Sequence, residues 1–534
     1  MRNIKNPNQL YIFDPWSSIS PKRRQLLDAG WPGLFREHIL PSIPVSKVSL
    51  YFDPSMGRPT KELFAMLGAL ILQQAFDLTD EESVQQFAFN IQWHYALNIT
   101  EESDSAKYVC PKTLWSCRDV IAEHNLEDII FSAGTERLAQ DFKVNADKQR
   151  LDSVHIKSNM RRLGRIGIFS ATIHKFLKNL KRQYPELIDT VDRQIVETYL
   201  SEAALNCFSR IKPSESRKTL TDVGKHLFAL YAQFKDQPDV ADMYSFKMLT
   251  RVLHEQCNLT GDADNPVEIK TPKEIVSDSL QNPSDPEATY SGHKGQGYQV
   301  QVMETYCTED KEESLRLITH VQVEQAHQSD ANALIPAIES AEAKNLKPKE
   351  ILADSLYGSD ENCQKAEKNE VELVAPVMGS TKEDRHNLSD FQISDKGRVL
   401  VCPLGHAPAK VKQGKRHSVG FDAAICNACP ERSRCPVKKG RKFYYLRFTD
   451  KDRRIANRRL YERTEAFKER YRWRAGVEAA MSEYDRRTGG KHLRVRGFKA
   501  VKYCAILKAL ALNIFRAAAF RMSRMMPGQE LCPA

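Results

Sequence analysis

Three acidic residues, far apart in the chain, are the strongest candidates for chemistry: Asp152, Asp354 and Glu478. Asp152 lies in KQRLDSVHI and Asp354 ends ILAD, two segments whose apolar positions predict β-strands. Acidic residues are poor strand formers, and ligands of open α/β sheets gather at the carboxyl ends of strands. An Asp at these places therefore favours a metal or substrate ligand. An Asp that caps the following turn would give the same pattern, so each Asp taken alone leaves both interpretations open.

Glu478 belongs to a predicted helix in which one face carries a phenol, a guanidinium and a carboxylate. At about 100° per residue, Tyr471, Arg474 and Glu478 lie within roughly 60° of one another. An ordinary charged helix with an Arg474–Glu478 ion pair explains this spacing equally well. Three converging carboxylates would suffice for two Mg²⁺ ions about 3.5–4 Å apart, which activate a nucleophile and stabilise the leaving oxygen in phosphodiester cleavage. An arginine one turn away can hold a phosphate.

The elements that must position these acids predict an α/β protein. The chain is helical to about residue 145, and Thr79 with Glu82 predicts a capping box there. A strand at Asp152 is followed by a helical block from about 165 to 260. The order then becomes strand, strand, helix, strand, helix, strand, and the first two of these strands are expected to pair. A long helix from about 452 to 486 and an apolar-faced helix from about 498 to 525 close the chain.

Positive charge is concentrated near the C-terminus. Between residues 410 and 500 there are 27 Lys and Arg against 10 Asp and Glu, a net charge of +17 in a chain whose total is +10, so the remainder carries −7. Such a block favours a polyanionic partner, because each neutralised phosphate releases counterions. A solvated basic surface is the alternative. Arg494 and Arg496 lie in this block beside the Glu478 helix, and their charge and position favour contact with DNA.

Twelve cysteines do not form a disulfide pattern, and eight of them are scattered singly, as in a reducing compartment. The other four are Cys402, Cys426, Cys429 and Cys435, a C-x₂-C pair with two outlying cysteines that can close a tetrahedral zinc site. His406 is a candidate replacement ligand. A structural zinc ion, which would fold a small lobe lacking its own core, and a reduced cysteine group without metal both remain open.

Two further features bear on partners and location. His293 and Lys294 lie in the glycine-rich SGHKGQG, a turn that can approach a phosphate but is also typical of a hairpin entry. No uninterrupted apolar run approaches about 18 residues, so no membrane span is expected. The N-terminal segment has no apolar core of a secretory signal. The sequence therefore predicts a cytoplasmic protein.

Several segments together resemble one known family. LDSVHIKSNM, ILADSLYG and YRWRAGVE are similar to the three acid-bearing segments of bacterial insertion-sequence transposases with a DDE triad, and the last has that family's Y-x₂-R-x₃-E spacing. YSGHKGQGYQVQVMET is similar to the family's second-strand region. The resemblance spans most of residues 50–520.

The resemblance implies a ribonuclease H-like core and Mg²⁺- or Mn²⁺-dependent cleavage and joining of DNA at terminal inverted repeats. It makes Asp152, Asp354 and Glu478 the ligands of two metal ions, with Tyr471 and Arg474 as DNA-backbone contacts. The family's lysine seven residues after the glutamate is absent, since Asp485 stands there. Either Arg486 or Arg487 substitutes, or the contact is missing.

The implied organisation is an α/β protein with a ribonuclease H-like mixed-sheet catalytic core and three additions. The core comprises residues 146–164, 285–377 and 452–525. The additions are an N-terminal helical, DNA-binding domain (1–145), a helical insertion (165–284) and a Cys-rich basic insertion (378–451). Double-stranded DNA and a second copy of the chain are the expected partners, in the bacterial nucleoid. A transposase-derived DNA-binding protein without catalysis is the main alternative, and a stand-alone nuclease is another.

Overall fold

The computed structural model describes residues 1–7, 12–201, 212–262, 264–308, 314–379, 384–394 and 397–525. Helices and a mixed sheet alternate along these residues, so the predicted α/β class is confirmed. The ten cysteines within the described ranges are free thiols, as expected. Cys207 and Cys532 lie outside the described residues.

Helices make up the N-terminal region, as predicted. They are α1 (Pro21–Ala29), α2 (Trp31–Leu34), α3 (Val45–Val48), α4 (Leu63–Ala75), α5 (Asp80–Phe89), α6 (Ile91–Ala96), α7 (Asp104–Lys107), α8 (Pro111–Glu123) and α9 (Leu126–Asp141). The capping box is confirmed: the Thr79 hydroxyl accepts from the Glu82 N–H and the Glu82 carboxylate accepts from the Thr79 N–H. Helix α4 is buried along almost its whole length, which explains its apolar sequence.

Strand β1 (Lys148–Ile156) leads into a helical insertion that has an apolar core of its own. The insertion contains α10 (Arg165–Gln183), α11 (Pro185–Ile188), α12 (Arg193–Leu200), α13 (Ser216–Phe234), α14 (Pro238–Ala241), α15 (Tyr244–Gln256), and the strands β2 (Cys257–Leu259) and β3 (Val267–Ile269). Its buried residues include Phe169, Phe176 and Leu227. The β2–β3 hairpin was not predicted, because three-residue strands carry too short a pattern.

The rest of the chain up to residue 374 completes the sheet around β1. Its elements are β4 (Thr289–Ser291), β5 (Gly295–Thr305), β6 (Ile318–Gln325), α16 (Leu334–Glu342), β7 (Glu350–Leu352), α17 (Asp360–Lys368) and β8 (Glu372–Val374). Strand β5 pairs antiparallel with β1, β4 and β6, whereas β7 pairs parallel with β1 and β8. The predicted order of elements and the predicted β5–β6 pairing are both confirmed.

A small lobe follows the sheet and contains the four clustered cysteines. Its elements are β9 (Gln392–Ile393), β10 (Val399–Val401), β11 (Lys410–Lys412), β12 (His417–Asp422), α18 (Ala423–Asn427), β13 (Lys438–Lys439) and β14 (Phe443–Phe448). The expectation that this lobe lacks its own core is wrong. Alternating residues of β12 and β14, among them Phe421 and Leu446, are buried together in one apolar cluster.

The C-terminal region contains α19 (Asp450–Glu462), α20 (Glu465–Tyr471), α21 (Gly476–Thr488) and α22 (Phe498–Met525). The single helix predicted over 452–486 is wrong, because Thr464 starts a new helix by accepting from the Phe467 N–H, and residues 472–475 form a 3₁₀ turn. By length and composition α22 could cross a membrane, but 78% of its most apolar window is buried inside the structure. Helix α22 shares one apolar cluster with α4, α9, β5 and β6.

Candidate active site

Asp152 and Asp354 lie at the same level of two neighbouring strands. Strands β1 and β7 run parallel, with Arg150 aligned with Leu352. Asp152 lies two residues after Arg150, and Asp354 lies two residues after Leu352. Because residues two apart on a strand share a face, the two aspartates lie on the same face of the sheet. Asp354 lies just beyond the last residue of β7, at its carboxyl end. The sequence-predicted pair is thus brought together, and the negative charge of Asp354 contributes to raising the pKa of Asp152.

The Asp152 carboxylate is mostly buried and already has two polar partners. Its side chain is 15% exposed, and Arg474 Nη2 donates to Oδ2 at 2.8 Å. The Ser153 N–H donates to Oδ1 at 2.9 Å. Burial raises the pKa of Asp152, and the Arg474 guanidinium opposes this rise. A positive charge beside Asp152 therefore stabilises its ionised form.

Glu478 lies on the other side of the same arginine. Arg474 Nη1 is 3.9 Å from Glu478 Oε1, and the Glu478 side chain is 75% exposed. Helix α21 packs its buried face, with Val477 and Met481, on the core, so Glu478 stands on the neighbouring, solvent-facing side. One guanidinium thus connects an acid from a strand with an acid from a helix.

The oxygen donors at this place fit a hard divalent cation in type. Mg²⁺ takes carboxylate oxygens together with substrate oxygens and water rather than a complete protein cage. Two like-charged carboxylates stand side by side at Asp152 and Asp354, a repulsion that a cation between them would remove. Across the described ranges of the chain, however, no group of three or more His, Cys, Asp or Glu side chains is assembled as a metal site.

Buried ion pairs hold α21 against the sheet. Arg150, 3% exposed, donates through Nε to Glu304 Oε1 at 2.7 Å and through Nη1 to the Trp473 carbonyl oxygen at 2.8 Å. Glu304 Oε2 accepts from Arg516 of α22 at 2.8 Å. A Cβ at Gly476 would lie 1.9 Å from Arg150 Nη1, so the first residue of α21 must be glycine for this contact to exist.

A second polar cluster, which sequence reasoning missed, is built around Ser153, the residue that follows Asp152. The Ser153 hydroxyl donates to Asp330 Oδ2 at 3.0 Å, and Lys294 Nζ donates to the Ser153 hydroxyl at 2.6 Å. Gln301 Nε2 donates to Asp330 Oδ1 at 2.9 Å. Asp330 begins a 3₁₀ turn whose N-cap is Ser329, and its buried carboxylate accepts from Ser153 of β1. Its partners come from distant segments, so no local sequence signal reveals this role.

Tyr471 also faces the acids. Its ring stacks on Phe467 with centroids 5.2 Å apart, and burial raises the pKa of its hydroxyl, with smaller contributions from Asp354 and Asp152. Together with Arg474, it forms the polar rim of the site that the Y-x₂-R-x₃-E spacing predicts.

The other basic residues predicted to contact DNA divide into two groups. The side chains of the first group are engaged by the protein itself. Lys294 donates a hydrogen bond to Ser153, Arg487 forms an ion pair with Glu483 at 3.1 Å, and Arg494 forms one with Asp77 at 3.1 Å. The second group is exposed and makes no hydrogen bond or ion pair with the described part of the chain: His293, Arg486 and Arg496. Asp485, at the position of the family's lysine, accepts from the Lys491 N–H and so stabilises the turn after α21.

The four clustered cysteines surround one small cavity. Cys402, Cys426, Cys429 and Cys435 line a space of about 30 Å³ together with His386 and His406. Burial raises the pKa of the Cys426 and Cys435 thiols, and the neighbouring thiols add to the rise in both cases. The four predicted cysteines thus lie around one cavity, but among the described residues their thiols are not arranged as a group that could hold a metal ion.

Two family models match the chain. One, described as a transposase DDE domain, matches residues 401–518 and so includes Tyr471, Arg474 and Glu478. The other, a transposase domain known as DUF772, matches residues 32–119 in the N-terminal helices. No curated protein and no solved structure gave a significant match. The two family matches together indicate a DDE-type insertion-sequence transposase.

Proposed function

We propose that this chain cleaves the ends of an insertion sequence and transfers the resulting strand to target DNA, using Asp152, Asp354 and Glu478 as metal-binding carboxylates. The observation that carries the proposal is the parallel register of β1 and β7, which favours a position of Asp152, inside β1, beside Asp354, just after β7. Helix α21, which bears Glu478, packs on the same strand through Arg474 and Asp152. This mixed sheet, with acids on adjacent strands and a helix, supports a ribonuclease H-like core.

Mg²⁺ or Mn²⁺ ions would be held by Asp152 and Asp354, with Glu478 completing the set. When bound, a divalent pair lowers the pKa of the attacking water or 3′-hydroxyl and stabilises the leaving oxygen. Arg474 donates one hydrogen bond to Asp152 Oδ2, which leaves further lone pairs of this carboxylate for a cation. The other N–H groups of the same guanidinium would hold a DNA phosphate beside Tyr471.

The remaining parts of the molecule receive supporting roles in the same proposal. The N-terminal helices bind the terminal inverted repeat, and the exposed Arg486, Arg496 and His293 contact the DNA backbone. A second copy of the chain completes the complex on double-stranded DNA in the cytoplasm, at the nucleoid. In the cysteine lobe, one zinc ion is bound by Cys402, Cys426, Cys429 and Cys435. This ion is structural, because four protein ligands leave no open position for catalysis.

The test uses a plasmid carrying the gene with its native flanking DNA. The chain, Mg²⁺ and this plasmid should yield nicked and joined products. The substitutions Asp152→Asn, Asp354→Asn and Glu478→Gln should each lower the cleavage rate by on the order of 10³-fold or more while leaving DNA binding intact. Asp147→Asn is the matched control, since this acid precedes β1 and its half-exposed side chain forms an ion pair with Lys349.

The outcomes separate the proposal from its two competitors. Normal cleavage by any of the three carboxylate variants would refute the assignment of that residue. DNA binding without any cleavage by the unmodified chain would favour a DNA-binding protein that has lost catalysis. Cleavage without joining would favour a nuclease.

A further inference from the structure

A large groove lies where the chain leaves β1 and enters the helical insertion. Its volume is about 1190 Å³, and its walls include residues 161–167, the start of α13, strand β3 and residues Asn282 and Ser284. Small-molecule sites usually enclose about 300–1,000 Å³. The groove is therefore larger than a typical metabolite pocket, and no residue of the carboxylate site lines it.

The groove is strongly basic. Arg161, Arg162, Arg165, Arg217 and Lys270 line it, against one acidic residue, Glu268. Arg165 and Lys270 are engaged by the protein itself, through Gln256 and the His254 carbonyl oxygen. The other three arginines are exposed, and their guanidinium groups form no hydrogen bond or ion pair within the described ranges of the chain. Three guanidinium groups are thus available to an external anion.

The backbone adds positive potential to the same place. Helices α10 and α13, each 19 residues long, both begin at the groove wall. Neither helix has a side-chain cap on its first N–H groups. Helix N-termini carry a partial positive charge that favours phosphate groups. The arginines and the two helix N-termini therefore both make the groove favourable for phosphate groups.

A short stretch of chain joins the carboxylate site to the groove, since β1 ends at Ile156 and the groove lining begins at Arg161. Burial lowers the pKa of the His155 side chain, and the positive charges of Lys294, Lys157 and Arg162 lower it further. Lys294 is bonded to Ser153, which adjoins Asp152. Arg161 lies nine positions after Asp152 in the sequence, so at about 3.3 Å per extended residue the two lie at most about 30 Å apart. That distance equals roughly nine base pairs at about 3.4 Å each.

We propose that this groove binds the phosphate backbone of duplex DNA within about nine base pairs of the scissile phosphate, through Arg161, Arg162 and Arg217. The inference rests on the proposed function, since it assumes that DNA is cleaved at the carboxylate site. It assigns the helical insertion, which neither matched family region covers, a direct part in holding the DNA.

The experiment measures binding of the full chain to a labelled 30-bp duplex in EDTA, where no cleavage occurs, as a function of salt. The logarithm of the binding constant falls with the logarithm of salt concentration by about 0.9 for each phosphate contact. The triple substitution Arg161→Ala, Arg162→Ala and Arg217→Ala should therefore reduce this slope by about 2–3. The same three positions changed to Lys should keep most of the slope, because the charges are retained.

The matched control removes three charges elsewhere on the insertion: Lys178→Ala, Lys181→Ala and Arg182→Ala. These exposed residues lie near the far end of α10, about 20 Å from its first turn. Equal slopes for the groove and control variants would overturn the inference while leaving the proposed function standing. Failure of the unmodified chain to bind any duplex would refute both the groove inference and the proposed function.

Two further results decide the remaining cases. If the groove variant weakens binding of single-stranded but not duplex DNA, the duplex assignment is wrong. If the triple Ala variant loses its folded circular-dichroism spectrum, the single substitution Arg217→Ala replaces it, with an expected slope change of about 1 and no change as the refuting result.

Discussion

The carboxylate site (Asp152, Asp354 and Glu478) and the cysteine cluster (Cys402, Cys426, Cys429 and Cys435) gather ligand-type side chains in different ways. At the carboxylate site, the two aspartates are placed by the register of paired strands, and Arg474 supplies a counter-charge. The four cysteines come from a strand end, a short helix and turns around a small cavity. The first site is held by strand pairing and buried ion pairs, whereas three of the four cysteines pack at the edge of the lobe's apolar core.

This difference has a consequence for what each site needs. Strand register and the Arg150–Glu304–Arg516 network position the elements of the carboxylate site through contacts of the protein itself, so the site is preorganised. The cysteine cluster lies on turns and a short helix beside an apolar core, and a bound zinc ion would add to the stability of the lobe. Removing metal should therefore affect activity at the first site and stability at the second. Substitutions in the two sites and in the contacts around them test this contrast.

The largest effect is expected for Gly476→Ala. The new Cβ would lie 1.9 Å from Arg150 Nη1, so either α21 moves away from β1 or Arg150 leaves Glu304. Overpacking and the loss of a buried ion pair together should lower the free energy of unfolding by about 5 kcal/mol. Because α21 carries Glu478, DNA cleavage should be lost as well. Thermal unfolding and the plasmid assay measure the two effects.

Gly414→Ala is the control for this substitution, because no atom lies within 4 Å of the position that a Cβ would take at Gly414. It should change the unfolding free energy by less than about 1 kcal/mol. A Gly476→Ala protein with unchanged stability and activity would mean that α21 is not fixed by this contact, and the carboxylate site would then not be preorganised.

The next effect is expected for Glu304→Gln, which removes the charge shared by Arg150 and Arg516. Glu304 is fully buried, and Arg516 is also held by Glu483 at 3.0 Å. Two buried guanidinium groups would lose their common carboxylate, at a cost of about 3–5 kcal/mol in chemical denaturation. The exposed pair Arg193–Glu197 provides the contrast, since Glu197→Gln should cost no more than about 0.5 kcal/mol. Similar costs for both variants would disprove the structural role of the network.

The sequence predicted more of the sheet than of what surrounds it. The alternation of apolar residues in β5 and β6, and the acids at β1 and after β7, carry local signals, and the structure places them as expected. Arg150 and Glu304 carry no such signal, since a charged residue in a strand usually faces solvent and only the assembled helices bury this pair. Asp330 carries no such signal either, because its partners Ser153 and Lys294 come from distant segments.

A third prediction concerns the cysteine cluster. The purified chain should contain one zinc per molecule by elemental analysis, and Cys429→Ser should reduce this content. At a free zinc concentration of 100 times Kd, binding stabilises the folded lobe by about 3 kcal/mol, so a chelator should lower the melting temperature. Cys307→Ser is the control, since Cys307 lies outside the cluster. A metal-free chain with unchanged melting would leave the lobe dependent on its apolar core alone.

The smallest effect is expected at Thr464, where the predicted long helix is interrupted. The Thr464 hydroxyl accepts from the Phe467 N–H at 3.2 Å and so satisfies one of the unpaired donors that begin α20. Thr464→Ala should cost about 1 kcal/mol in chemical denaturation. Ser103→Ala, at the start of α7, removes a hydroxyl that makes no capping bond and should cost less than about 0.5 kcal/mol. Because α20 ends at Tyr471, a small loss of stability with a larger loss of DNA cleavage would place the helix break among the features that set the geometry of the carboxylate site. Loss of stability without a larger loss of DNA cleavage would mean that the helix break affects local folding and not the carboxylate site.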